Sequence, residues 1–419
     1  MNSSPDHYDM AFGTTAHTLA KALDYVGIDD YSHGRRVGLM SYRIAQALLW
    51  DRPAQMFMLV AGMLHDIGVS STSHHQKLVD EIEWEGAELH CLRGEDFLRS
   101  FAPFAPYAPA IRHHHTRWNR MPESVPRLVA EQANMIYLAD RLDVFYLRFL
   151  ADHPHHATLL HKRDILDNLH QAAPELFATH LWDALYDAGS KDRFWLELQE
   201  DFLDEAITEA IGSDDRVLHL DWNGLRDLGV LISRIVDAKS PFTHYHSLRV
   251  ADLTDAVGGL LGFSTARRHL LRIAGLLHDV GKLRTPDAIL EKHGSLDGDE
   301  FAQMRAHPMN SKRILAALFP GSPMIDWVVH HHEKLDGSGY PDGCDKDALP
   351  VESRILAVCD IFQALSQDRP YRGRLPVEQV LAIMQPMVDG GSLDPDIFAL
   401  VCQHPAHLYA ISTQEDTQK

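Results

Sequence analysis

Two octapeptides decide how this chain folds: Ala61-Gly-Met-Leu-His65-Asp66-Ile-Gly68 and Ala274-Gly-Leu-Leu-His278-Asp279-Val-Gly281. The second follows the first at an offset of 213 residues, and the same offset relates His33-Gly-Arg-Arg36-Val37 to His246-Ser-Leu-Arg249-Val250. Further on, His90 matches His307 and His114-His115 match His331-His332 at an offset of 217, and Asp140 matches Asp360 at 220. The order His, His-Asp, His, His-His, Asp therefore occurs twice. The growing offset needs only two short insertions in loop-like stretches of the second copy, which chance clustering of histidines would not produce. The chain reads as two copies of one domain.

The copies read as helical. Leu270, Ile273, Ala274 and Leu277 have the i, i+3, i+4, i+7 spacing of a buried helix face running into His278-Asp279, with Gly281 placed to end it, and Val60, Ala61 and Leu64 repeat the pattern in the first copy. Alternation over strand lengths is absent, and segments rich in alanine, leucine, arginine and glutamate are divided by turns at Pro103 with Pro106 and at Pro320-Gly-Ser-Pro323. The expected fold class is all-α, with two tandem domains over residues 1–211 and 212–419. Residues 212–216 read as the join, and a helix from about Leu225 to Val236 leads into the second copy.

Composition narrows the partners. In 419 residues, 45% hydrophobic and 23% charged, 39 basic residues face 59 acidic ones for a net charge of −20. That field repels polyanions, so DNA and anionic membranes are excluded as expected partners. Four cysteines, at 91, 344, 359 and 402, form no CxxC pair. Together with an N-terminus lacking signal-peptide character and the lack of any apolar run of roughly 18 residues, they lead us to expect a cytoplasmic protein.

The histidines number 28. Those at 153, 155, 156 and 161 crowd a polar stretch without a carboxylate at defined spacing and read as a solvated helix face or loop. The repeated set is different: imidazole nitrogen and carboxylate oxygen suit divalent Mn, Fe, Zn or Ni. His246, His278, Asp279, His307, His331, His332 and Asp360 are too many ligands for one tetrahedral ion, and Asp279 beside His278 suits a bridge between two.

On these residues the second copy resembles the HD-GYP branch of the HD-domain metal-dependent phosphohydrolases. The match runs from about Lys239 to Phe398. It takes in Lys239-Ser-Pro-Phe-Thr-His-Tyr-His246, His278-Asp279-Val-Gly-Lys282, Pro286-Asp287, His307-Pro308 and His331-His332-Glu333-Lys-Leu-Asp336-Gly337-Ser-Gly339-Tyr340-Pro341. It continues through Arg354-Ile-Leu-Ala-Val-Cys-Asp360 to Asp368-Arg369-Pro370-Tyr371-Arg372. The resemblance implies two or three metals, often iron or manganese, and the opening of cyclic dinucleotides such as cyclic di-GMP or 3′,3′-cyclic GMP-AMP. The first is favoured as the more frequent family substrate. It further implies that His246, His278, Asp279 and Asp360 hold one ion and Asp279, His307, His331 and His332 the other. Lys282 is expected on a phosphate, the loop of Gly337, Gly339 and Tyr340 against the ligand, and Arg369 and Arg372 on a second phosphate. Phe242 stands where three-metal relatives carry glutamate, which points to a binuclear site, and Gln363 stands where aspartate is frequent. Asp297-Gly-Asp-Glu-Phe301 looks like a cyclase signature but sits where a helix starts, and reads as capping residues.

The first copy resembles a plain HD domain. It keeps His33, His65, Asp66, His90, His114, His115 and Asp140, so metal is expected there too, but Val69 replaces the lysine, Thr116 replaces Glu333, and the Gly-Tyr-Pro loop is gone. The functional expectation is an enzyme that linearises a cyclic dinucleotide, with the first copy removing the 5′-phosphate this exposes. The competing reading is a cyclic dinucleotide-binding signalling protein with little turnover.

Overall fold

The computed structural model describes residues 7–24, 32–71, 86–154, 157–212, 214–239, 245–368 and 373–414. The chain divides into two compact units, one of residues 9–219 and one of residues 220–419 with Tyr8. The division falls at 219/220, a few residues past the expected join. The reason is a two-stranded sheet: β1 (Tyr8–Ala11) pairs with β2 (Val217–Leu220). The Phe12 amide donates to the Arg216 carbonyl at 3.0 Å and the Arg216 guanidinium lies 4.1 Å over the Phe12 ring, so the stretch after Gly212 stays with the first unit. Val217–Leu220 does alternate exposed and buried residues, over too few positions to register as a strand in the sequence.

Everything else of regular structure among the described residues is helical. In the first unit α1 (Phe12–Leu23) and α2 (His33–Ala47) lead to α3 (Arg52–Met63), which is started by the Asp51 carboxylate accepting from the Ala54 amide at 3.0 Å. α4 (Ala87–Arg99), α5 (Ala108–Arg112) and the long α6 (Arg127–Asp152) complete the part that surrounds the predicted ligands. The second unit repeats this with α7 (Trp222–Lys239), α8 (His246–Leu260), α9 (Thr265–Leu277), α10 (Gly298–Met304), α11 (His307–Leu318), α12 (Met324–Val329) and α13 (Val351–Ser366). The expected stop at Gly281 comes earlier. α9 ends at Leu277 and a 3-10 turn follows over Val280–Arg284.

Gly281 has another reason to be glycine. A Cβ there would lie 2.0 Å from the His307 carbonyl oxygen, and one on Gly68 would lie 2.1 Å from that of His90. In both units this glycine lets the His-Asp turn press against the helix that carries the next histidine. Asp297 accepts from the Asp299 and Glu300 amides, and Glu300 accepts from the Asp297 amide. This capping box at α10 accounts for the cyclase-like signature. Among the described residues no helix is long and apolar enough to cross a membrane.

Candidate metal centres

In the second unit the ligand candidates converge from element ends. His246 opens α8, His278 and Asp279 follow α9, His307 opens α11, His331 and His332 follow α12, and Asp360 lies within α13. Asp279 is the hub. Its Oδ2 is 3.3 Å from His278 Nε2 and 3.9 Å from His246 Nε2, while its Oδ1 is 3.5 Å from His307 Nε2 and 4.0 Å from His331 Nε2. Asp360 Oδ1 lies 3.2 Å from His246 Nε2 and 3.9 Å from His278 Nε2. The His332 ring packs on His331 and His307, with centroids 4.0 and 4.9 Å away. One carboxylate thus turns a different oxygen to each of two imidazole groups.

Backbone carbonyls set the tautomers. His278, His307 and His331 place Nδ1 against the carbonyl three residues earlier: Gly275 at 2.8 Å, Met304 at 2.8 Å and Val328 at 2.6 Å. A carbonyl only accepts, so Nδ1 carries the hydrogen and Nε2 offers its lone pair inward. Burial holds His307 down to about 3 and His331 to about 4, so both are neutral at neutral pH, as ligation requires. His278 Nε2 and Asp279 Oδ1 are buried without a hydrogen-bond partner. Buried atoms of this kind are rare in proteins unless something satisfies them, and unpartnered lone pairs of nitrogen and carboxylate oxygen within one ligand cluster fit cations.

The first unit repeats this geometry. Asp66 Oδ2 is 3.4 Å from His65 Nε2 and 3.7 Å from His33 Nε2, and Oδ1 is 3.5 Å from His90 Nε2 and 3.9 Å from His114 Nε2. Asp140 Oδ1 is 3.4 Å from His33, and Oδ2 is 3.9 Å from His115. His65 and His114 are aimed by the Gly62 and Ile111 carbonyls, at 2.7 and 2.6 Å, and burial holds both to about 4.

The surroundings of the two sets differ. Lys282 Nζ sits 2.5 Å from Asp279 Oδ2 and is about a quarter exposed, whereas Val69, its counterpart, is buried. The first unit places its cation elsewhere: the Arg141 guanidinium is 2.8 Å from Asp140 Oδ2 and 2% exposed. The second unit has Ile361 at that position. His33 Nδ1 donates to Asp143 at 2.8 Å, and Arg36 braces the same carboxylate at 2.6 and 2.9 Å; in the second unit His246 Nδ1 donates to the Gln363 amide oxygen instead. Burial disfavours a charge on His33, yet Asp140 and Asp143 outweigh it and hold its pKa well above the ordinary value. Sequence reasoning flagged Gln363 but passed over Asp143 and Arg141. The signal for Asp143 was available, since it precedes Gln363 by the same 220 residues that separate the ligand aspartates.

The loop around Gly337 is rigidly held. The Glu333 carboxylate, 4% exposed, accepts from the amides of Asp342, Gly343 and Cys344 at 2.6, 3.0 and 3.1 Å. Gly337 is left-handed at φ +75°, and a Cβ on Gly339 would fall 2.4 Å from Glu333 Cα. Both glycines therefore have a reason internal to the loop. Tyr340 stacks on the His332 ring at 4.9 Å and 29°. Arg369, Arg372 and Phe242 lie outside the described residues. Of the surface histidines, His153 stacks on Phe149 and His161 pairs with Asp164 at 3.1 Å.

Comparison with known proteins agrees with this arrangement. Two family models, both described as HD domain, match residues 30–144 and 230–397. A 3′3′-cGAMP-specific phosphodiesterase of Vibrio cholerae is 33% identical over 95% of this chain and 92% of its own length. A cyclic di-GMP phosphodiesterase of Pseudomonas aeruginosa is 33% identical over 47% of this chain and 48% of its own. Among solved structures, a cyclic GMP-AMP specific phosphodiesterase of Vibrio cholerae superposes with a TM-score of 0.63 at 26% identity, covering 96% of this chain and 99% of that one.

Proposed function

Since the chain belongs to the HD-domain phosphohydrolases of the HD-GYP type, we propose that its second unit opens a bacterial cyclic dinucleotide by hydrolysing one phosphodiester bond. The observation that carries this reading is the split carboxylate of Asp279, with each oxygen turned to its own imidazole group and Lys282 on its rim. His246, His278 and Asp360 would hold one divalent ion and His307, His331 and His332 the other, with Asp279 between them and iron or manganese as the fitting metals. Such ions supply a hydroxide nucleophile and neutralise phosphate charge. The chain's own residues do the rest. Burial keeps His307 and His331 neutral, and the Nδ1 hydrogen bonds orient the imidazoles. The Lys282 ammonium, at the edge of the site, offers its charge to a non-bridging phosphate oxygen. Water adds its oxygen to phosphorus, the P–O3′ bond breaks, and the departing 3′-oxygen takes a proton. Among substrates we favour 3′,3′-cyclic GMP-AMP. The relative named for it matches both units, whereas the cyclic di-GMP relative matches about half the chain. This reverses the order expected from family frequency.

For the first unit we propose removal of the terminal 5′-phosphate from the linear product. Its complete donor set supports metal binding, and the absence of the Gly-Tyr-Pro loop suits a smaller substrate. One experiment covers both units: chromatography of products from cyclic GMP-AMP and cyclic di-GMP, using wild-type protein and the double variant His65→Ala/Asp66→Ala. Linear 5′-phosphorylated dinucleotide should accumulate in the variant, with no release of inorganic phosphate. Wild-type protein that binds but never cleaves would make the chain a receptor.

A further inference from the structure

The capping-box helix α10 carries a side chain that neither capping nor the metal set uses. Phe301 is 47% exposed. It stands edge-on to Tyr340, with centroids 6.1 Å apart at 87°, and Tyr340 is the ring stacked on His332. Arg305 lies beside both aromatics, its guanidinium carbon 5.0 Å from the Tyr340 ring and 5.9 Å from that of Phe301. Arg305 is exposed and forms no ion pair with any described carboxylate. A cluster of flat groups thus runs from a metal-ligand candidate to the surface: His332, then Tyr340, then Phe301 and Arg305 together.

Both ends of the series are pinned. Tyr340 belongs to the loop that Glu333 holds by three amides, and its own amide donates to the His332 carbonyl at 3.3 Å. Phe301 follows the Asp297/Glu300 capping box, whose Glu300 is also paired with Lys292. A rigid aromatic edge with an uncommitted guanidinium fork, beside a phosphate-hydrolysing centre, has the chemistry of a nucleobase subsite. Base faces stack on aromatic rings and on guanidinium planes, and the fork matches the O6/N7 edge of guanine.

We propose that Phe301, Arg305 and Tyr340 form the subsite for a purine base of the substrate, with Arg305 reading guanine. The inference rests on the cyclic dinucleotide reading above and adds Phe301 and Arg305, which the family resemblance did not bring forward, to Tyr340, which it did. Because Phe301 and Arg305 project from the surface, their removal opens no internal cavity.

The test compares Phe301→Ala and Arg305→Ala with wild type in steady-state cleavage of cyclic GMP-AMP, together with metal content and inhibition constants for cyclic di-GMP and cyclic di-AMP. Wild-type turnover comes first; if it is absent, the functional reading fails and the subsite is not the cause. With turnover present, Phe301→Ala should raise KM about 10- to 100-fold, more than it changes kcat, as expected for loss of a stacked base. Metal content should equal that of wild type. Arg305→Ala should weaken cyclic di-GMP at least about tenfold more than cyclic di-AMP. An unchanged KM for Phe301→Ala would overturn the stacking subsite. Equal losses for both inhibitors in Arg305→Ala would overturn guanine reading and make Arg305 a phosphate contact.

Discussion

Replacing Asp279 by asparagine should remove one ion and leave the other. The choice is dictated by Lys282, whose ammonium donates to Asp279 Oδ2 at 2.5 Å. Only an oxygen can accept that bond, so the new amide keeps its oxygen on the side of His278 and His246. Its NH2 group then faces His307 and His331, whose Nε2 atoms lie 3.5 and 4.0 Å from the present Oδ1. An amide nitrogen has no lone pair to give a metal. The group His307, His331 and His332 loses its carboxylate ligand, while His246, His278 and Asp360 keep three ligands and an amide oxygen. Loss of an outer-sphere partner already costs about 10- to 100-fold in metal affinity, so loss of a direct anionic ligand should exceed that. Cleavage should fall by at least about 10³, because one lost transition-state donor commonly costs about 10²–10³ and here a whole cation goes. The assay is elemental analysis after dialysis, in a His65→Ala/Asp66→Ala background so that only the second unit is counted. About one equivalent should remain with asparagine and none with alanine. Two retained equivalents, or diester cleavage at the wild-type rate, would refute the bridging role of Asp279.

The other predictions concern single contacts. Lys282→Ala should slow cleavage about 10²–10³-fold while metal content holds, and an unchanged rate at saturating substrate would reduce Lys282 to a surface lysine. Glu333→Gln puts an NH2 group in place of one acceptor oxygen, against the Cys344 amide if the remaining oxygen stays on the amides of Asp342 and Gly343. Thermal unfolding should register a loss of about 1–3 kcal/mol and KM should rise as the Tyr340 loop loosens; identical melting and KM would show that the loop stands without it. His17, buried in α1, is held to about 4 by burial and then by Lys21, against Asp204. As pH falls below the unfolded value near 6.5 the unfolded state takes the proton first, so this stability is intact above 6.5 and lost between about 6.5 and 4, at up to about 3 kcal/mol. Urea midpoints of wild type and His17→Leu, compared at pH 7 and pH 5, should show the wild type losing more.

Much of the side-chain cluster was legible because repetition separates candidate ligands from bystanders. His65 and His278 could be paired by offset alone, and the fold brings each to its aspartate at 3.4 and 3.3 Å. What escaped was whatever depends on distance through space rather than along the chain. Arg141 follows Asp140 directly, and helical neighbours normally point apart, so nothing in the sequence says that its guanidinium folds back onto that carboxylate. Gly281 looked like a helix terminator because glycine often is one, but its necessity lies in the His307 carbonyl 2.0 Å from where a Cβ would be. Asp297 was recognised as a cap because the capping box is a local pattern, whereas the use of Phe301 beyond it depends on Tyr340, distant in sequence. β2 was missed because four alternating residues are too few to stand out from a helical background.

The cations mark where the two copies part. In the second unit the positive charge is a lysine on a short 3-10 turn, a quarter exposed and resting on Asp279. A flexible ammonium in that place can leave the carboxylate for an incoming phosphate, and a diester, with one negative charge, gains from a cation supplied by the chain. In the first unit the charge is a guanidinium 2% exposed and locked on a terminal ligand, with a second, Arg36, locked on Asp143. Neither is placed to move, so their effect is to neutralise the extra carboxylate and hold the ligands still. Arg36 and Arg141 are thus not offered to a substrate, and the proposed ions would favour a phosphate that brings two charges of its own. A terminal monoester does so and an internal diester does not. This contrast, one ligand frame with its cation moved from the rim to the interior, supports the proposal that one unit opens the ring and the other trims the end.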